Sequence, residues 1–279
     1  MRFTKMHGAG NDYIYVNCFE ETVHNPAALA VAMSRPHFGV GSDGLVLIDR
    51  SPSADFRMRI FNADGSESEM CGNATRCIAK YVYERGLTNK EIITLQTGSG
   101  IKTLKLKVLN GKVISVQTDM GMPVLTPSQI PVFLPGEIIL NYPLETGGLT
   151  WRINCVSMGN PHCVIFVNDP DDVDLPMLGS LLEHHHIFPN RANIEFVSVR
   201  TRDHIDMRVW ERGAGETLAC GTGACAVLVA SVLAGRANRD AAIRLPGGEV
   251  YVSWSPEDNH VYLEGGAEFV FDGEWPEEY

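Results

Sequence analysis

Nowhere does the 279-residue sequence hold an apolar run long enough to cross a bilayer as a helix, which takes about 20 predominantly apolar residues. Its first stretch, MRFTKMHGAGNDYIYV, is broken by Lys5, His7, Gly8, Gly10, Asn11 and Asp12, which excludes the apolar core of a signal peptide. No membrane partner is expected, and the chain should stay in the cytoplasm. Positive charge is also short. Against 34 acidic residues stand 23 basic ones, leaving −11 with no local basic patch, so nucleic acid and anionic membrane would be repelled. Close CxxC pairs are missing as well: five residues separate Cys71 from Cys77 and four separate Cys220 from Cys225. Structural zinc sites use tighter spacing, so no metal is expected. Seven cysteines, an odd number without a secretory signal, argue against a disulfide framework and for reduced thiols, some of them reactive.

Two further signals are set aside. Gly39, Gly41 and Gly44 have GxGxxG spacing, but LVLI follows them as a strand, whereas a dinucleotide fingerprint opens a helix. His184, His185 and His186 are adjacent in sequence, and adjacent helical residues point in different directions, so they read as a solvated helix end.

With 44% hydrophobic and 20% charged residues, the chain has the composition of a folded, water-soluble protein. Its length favours two domains, and an internal repeat supports this. FRMRIFNADGSESEMCGNATRCIAKYVYERG reads as a strand over 56–62, a turn at Asp64-Gly65 and a helix ending near Gly86. HIDMRVWERGAGETLACGTGACAVLVASVLAG reads as a strand over 205–210, a glycine-rich loop and a helix stopping at Gly235. Glycine at the C′ position suits both helix ends. The second helix is apolar nearly all round and should be buried. In the first, Arg76, Lys80, Glu84 and Arg85 are expected on a wetter face.

The surrounding runs ITLQT, IKTLKLKVL, KVISVQTD, WRINCVSM, HCVIFVN, IEFVSV, EVYVSW and HVYLEGG read as strands bounded by turn residues. The expected class is α+β: two pseudo-symmetric domains, each a mostly antiparallel sheet or barrel around a central helix. The first is expected over 1–118 plus 267–279 and carries Cys71; the second, over 119–266, carries Cys220. The active site is expected in the cleft between them.

A buried cysteine alone is usually a small apolar core residue, and Cys18, Cys77, Cys155, Cys163 and Cys225 are read that way. Cys71 and Cys220 differ, because each immediately precedes a helix in a Cys-Gly context. Unsatisfied N–H groups and the positive end of the helix dipole favour a thiolate there. Gly72-Asn73 and Gly221-Thr222 add amides that can approach a carboxylate. Two such helix starts would hold one carboxylate, with a thiol on each side of the α-carbon, one removing a proton while the other supplies one. Fixed donors around that carboxylate would stabilise the developing charge, so no cofactor is needed.

KMHGAGNDYIYV, HFGVGSDGLVLI, FNADGSESEMCGNATRC, GNPHCVIFV, FPNRANIEFV and WERGAGETLACGTGACA together resemble the diaminopimelate epimerase family, a branch of the fold shared with proline racemases. The resemblance runs along nearly the whole chain. It implies interconversion of LL- and meso-diaminopimelate on the way to lysine and, in many bacteria, peptidoglycan, by a homodimer without cofactor. Cys71 and Cys220 fall on the catalytic pair. Gly72, Asn73, Gly221 and Thr222 would meet the carboxylate at the reacting centre. Asn11, Asn62, Asn160, Asn193 and Arg212 would hold the distal end, with Glu211 near the ammonium or the thiols and His162 assisting one thiol.

A planar guanidinium suits a carboxylate. The pattern departs at Gly44, where some members carry a glutamine that reaches the site; here a polar contact would have to come from backbone or Ser42. The competing readings are a proline or hydroxyproline racemase of the same fold, whose pocket would need an apolar wall, and a non-catalytic amino-acid binding protein, which would not need paired thiols.

Overall fold

The computed structural model describes residues 1–276. The chain divides into two compact units, Met1–Thr118 with the chain from Glu264 onward, and Asp119–Leu263. The last three residues of the expected return to the first half, 277–279, lie outside the described residues.

The first unit opens with β1 (Arg2–Gly8), β2 (Asn11–Asn17), α1 (Pro26–Ser34), β3 (Gly44–Asp49), β4 (Phe56–Asn62) and β5 (Glu67–Ser68). It continues through α2 (Gly72–Glu84), β6 (Ile92–Thr97), β7 (Gly100–Leu109) and β8 (Lys112–Asp119). The second unit holds β9 (Tyr142–Thr146), β10 (Leu149–Ser157), β11 (Pro161–Phe166), α3 (Leu175–Glu183), β12 (Asn193–Thr201), β13 (His204–Glu211) and β14 (Gly215–Thr217). Then come α4 (Gly221–Leu233), β15 (Asp240–Leu245) and β16 (Gly248–Trp254). The chain passes back through β17 (Val261–Gly265) to β18 (Glu268–Glu274), which pairs antiparallel with β1.

The repeat extends to strand pairing. In the first unit β1–β2 is antiparallel, β2–β3 parallel, β3–β4 and β4–β5 antiparallel, and β6 returns parallel to β4. In the second, β10–β11, β11–β12, β12–β13, β13–β14 and β13–β15 follow the same order. The fold is α+β, sheet-rich with four α-helices among the described residues. Parallel neighbours need a crossover, and the helices serve that purpose: α1 and α3 join the first parallel pair of each unit, α2 and α4 the second.

The two crossover helices that precede the cysteines have ordinary caps. Asn25 accepts from Ala28 N–H ahead of Pro26, and Asp174 accepts from Met177 N–H, each satisfying one open donor of the first turn. In α2 and α4 the N-cap residues are Cys71 and Cys220, and neither makes a side-chain cap bond. Both helices end at a glycine with positive φ, Gly86 (75°) and Gly235 (70°), a conformation other residues adopt at a cost.

α4 is buried as expected from Gly223 to Ser231. The wetter face expected for α2 is corrected: Arg76 is 0% and Lys80 7% exposed. Lys80 donates to Val113 O and pairs with Glu84 at 3.2 Å, while Arg76 donates to Gly72 O, Asn73 Oδ1 and Gly266 O. Both cations enter the interior because carbonyls and side-chain oxygens replace the water they lose. Beside them Ala74, Cys77, Ile78 and Val82 pack against Ile60, Ile93, Leu104 and Val116.

Candidate active site

Each cysteine stands at an open helix end. Thr75 N–H is bonded to Cys71 O and Ala224 N–H to Cys220 O, so the three amides before each of these remain at the helix mouth, where an anion is favoured.

At the head of α2, two carboxamides form a chain between a cation and an anion. Arg76 donates to Asn73 Oδ1 (2.7 Å), Asn73 Nδ2 to Asn11 Oδ1 (3.1 Å), and Asn11 Nδ2 to Asp43 Oδ2 (2.7 Å). The charged ends decide the orientation of both amides, since a guanidinium only donates and a carboxylate only accepts. Cys71 Sγ donates to the same Asn11 Oδ1 at 3.3 Å. Asp43 also accepts from Asp12 N–H. Burial, then the Asp12 carboxylate, pushes the Asp43 carboxyl above its ordinary range. Tyr13 stands beside Cys71, and burial pushes its phenol up. Gly8 leaves room for this layer: a Cβ there would lie 3.1 Å from Arg76 Nη2 and 3.2 Å from Asn73 Cβ.

At the head of α4, Cys220 Sγ lies 3.6 Å from Thr222 Oγ1, which accepts from Asn160 Nδ2 at 3.3 Å. Asn160 Oδ1 lies 3.0 Å from His162 Nε2, and His162 Nδ1 lies 2.6 Å from Glu195 Oε1. His162 and Glu195 are both fully buried. The expectation that a helix start would favour the thiolate is corrected here. Burial first, then the Glu211 carboxylate, push the Cys220 thiol well above its ordinary value, against the opposing pull of Thr222 and Gly223 N–H.

The remaining expected residues have mixed placements. Glu211 accepts from Thr217 Oγ1 at 2.6 Å. Arg212 is held through its backbone N–H by Asn193 Oδ1 and through Nη1 by Asn190 O, and Asn193 Nδ2 donates to Pro161 O. Asn193 therefore fastens Arg212 to the ends of β11 and β12. Asn62 donates to Ser66 Oγ within the turn after β4 and is not in the chain of bonds around Cys71. Gly72 and Gly221 are the first residues of their helices.

At Gly44 a side chain has no room, since a Cβ would lie 2.1 Å from Phe61 O. The Ser42 hydroxyl, which with the backbone was one of the two sources left for a polar contact there, donates to Gly44 O. None of the seven cysteines is in a disulfide, and no group of three or more His, Cys, Asp or Glu side chains among the described residues could hold a metal ion.

Asp43, Arg76 and Glu195 escaped the sequence reading. Glu195 had the clearest signal, a single charge inside the apolar run NIEFVSV, since an acid there must be paired or neutral when buried.

A family model described as diaminopimelate epimerase matches residues 3–126 and 154–270. The chain belongs to the diaminopimelate epimerase family. Among its relatives are the diaminopimelate epimerases of Acetivibrio thermocellus, 58% identical over 274 residues with 98% of each chain covered, and of Desulfovibrio desulfuricans, 53% identical with 99% of this chain and 98% of the relative covered. Solved structures extend the family's fold to more distant chains. A Bacillus anthracis phenazine biosynthesis protein of the PhzF family has a TM-score of 0.74 at 20% identity, covering 99% of each chain. A hydroxyproline epimerase from Agrobacterium vitis has 0.69 at 14%, covering 98% of this chain and 90% of that one.

Proposed function

We propose that this chain is an isomerase interconverting LL- and meso-diaminopimelate by cofactor-independent proton transfer between Cys71 and Cys220. The observation that carries this reading is the pair of cysteines at the N-cap positions of α2 and α4, each beside its own directed chain of hydrogen bonds. The mechanism requires one thiol on each face of a single substrate carbon. A thiolate takes the α-proton, the opposite thiol delivers its own, and the centre inverts. The open amides of Gly72 and Asn73, and of Gly221 and Thr222, would hold the carboxylate on which charge develops, a stabilisation that grows as water is excluded.

Arg212, braced by Asn193 and Asn190, would take the distal carboxylate. Asn11, Asn62 and Asn160 would complete that end, and Glu211 would meet an ammonium. The two units serve as the epimerase halves in this proposal, in a cytoplasmic homodimer. Support for the substrate comes from the relatives' shared activity and from polar amides where a proline pocket would need an apolar wall.

The deciding experiment incubates the purified enzyme separately with LL-diaminopimelate, L-proline and trans-4-hydroxy-L-proline and follows inversion by chiral chromatography. Inversion of diaminopimelate alone is expected. Turnover of either imino acid without diaminopimelate would replace this reading with the racemase one.

A further inference from the structure

Glu195 lies near the start of β12, between Ile194 and Phe196, and is fully buried. Its Oε1 touches His162 Nδ1 at 2.6 Å, and its Oε2 is buried without a hydrogen-bond partner. Two ionised oxygens in that position would leave one charge-bearing acceptor empty, a costly arrangement. A neutral carboxyl leaves only a carbonyl oxygen unbonded. Burial, the largest influence on this group, also pushes its affinity for a proton up, against the pull of His162. The carboxyl flanks the reactive sulfur: a methyl group on Gly223 would sit 3.0 Å from Glu195 Oε1 and 3.2 Å from Cys220 Sγ.

We propose that Glu195 is a positioning residue: its protonated carboxyl donates to His162 Nδ1 and so holds the imidazole as the tautomer with its hydrogen on Nε2. Every later orientation follows from that hydrogen. Nε2–H donates to Asn160 Oδ1, which leaves the Asn160 amide nitrogen facing Thr222 Oγ1. Thr222, accepting there, has its own hydrogen free for the Cys220 sulfur. The imidazole's second bond selects its tautomer, and here the selection runs through an amide and a hydroxyl to the sulfur. Without a donor at Nδ1, the hydrogen can settle on that nitrogen. Asn160 then turns over and the Thr222 hydroxyl points away from Cys220. The inference rests on the reading of Cys220 as one of the two proton-transfer groups.

The test compares Glu195→Gln, whose amide N–H can still donate to Nδ1, with Glu195→Leu, which has no donor. Nitrogen-15 spectra of histidine-labelled enzyme report the tautomer, and kcat and KM report the chemistry. In the parent and in Glu195→Gln, His162 should carry its hydrogen on Nε2, with kcat within about threefold of each other. In Glu195→Leu the Nε2–H signature should be lost and kcat should fall on the order of 100-fold, with KM changed about threefold or less.

A parent enzyme protonated at Nδ1, a Glu195→Gln loss as deep as that of Glu195→Leu, or wild-type kcat in Glu195→Leu would each overturn the proposal. If Glu195→Leu does not fold, the parent and Glu195→Gln spectra still decide. Failure of the parent to invert diaminopimelate would defeat the functional reading instead, leaving the tautomer result to be judged separately.

Discussion

At the head of α2, Cys71 donates to a carboxamide held between a buried guanidinium and a carboxylate; at the head of α4, Cys220 is reached through a hydroxyl, a carboxamide, an imidazole and a buried carboxyl. The backbone device is the same, a cysteine at the N-cap of a buried helix with open amides ahead of it. What differs is the charge beneath it. Arg76 is buried in the first turns of α2 and donates to Asn73, which bonds the same Asn11 oxygen as Cys71. Around Cys220, burial first and then the Glu211 carboxylate push the thiol up. The repeat thus supplies two equivalent frames, and side chains outside the Cys-Gly motif make their surroundings unlike.

Removing either thiol should break the comparison with the largest effect. Cys71→Ala and Cys220→Ala are each expected to lower kcat for diaminopimelate by about 10³-fold or more, since the proposed transfer needs both an acid and a base. Circular dichroism should show both variants folded. A variant that kept full epimerisation would mean that its half-site does not act in the chemistry.

A smaller effect should sharpen the contrast in charge. Because burial and Glu211 push the Cys220 thiol up, its reaction with iodoacetamide should set in at higher pH than that of an ordinary thiol. Glu211→Gln removes one of the causes, so the onset at Cys220 should move to lower pH while that of Cys71 stays in place. Peptide mass spectrometry of samples alkylated across a pH series reads both sites in one experiment. An unmoved or rising onset at Cys220 would show that the Glu211 carboxylate does not oppose its ionisation.

The elements with strong local patterns were legible in the sequence. The strand over 56–62, the run KVISVQTD and the helices closed by Gly86 and Gly235 lie where alternation and cap residues put them. The crossover helix α1 was not: its apolar residues do not fall on one face, and its start is marked only by Asn25-Pro26. Parallel pairing, which makes α1 and α3 necessary, is a property of strands far apart in sequence and leaves no local mark.

At the site, the helix-start cysteines could be read because their chemistry depends on the next few residues. Arg76 was misread because burying a cation depends on distant acceptors such as Gly266 O. Asp43 was hidden by the glycine spacing of its own motif, and its bond to Asn11 joins residues from two strands. Glu195 carried a visible signal, a lone acid in an apolar strand, but its partner His162 comes from the neighbouring parallel strand.

The central claim is that two different thiols serve the two faces of one carbon. It is tested most directly by a first-turnover reaction of LL-diaminopimelate in deuterium oxide. If Cys71 and Cys220 divide the work, meso product from the earliest turnovers carries one deuterium at the inverted carbon, and recovered LL substrate carries none. Deuterium appearing in recovered substrate as fast as in product would mean that a single group both removes and returns the proton, and would contradict the account.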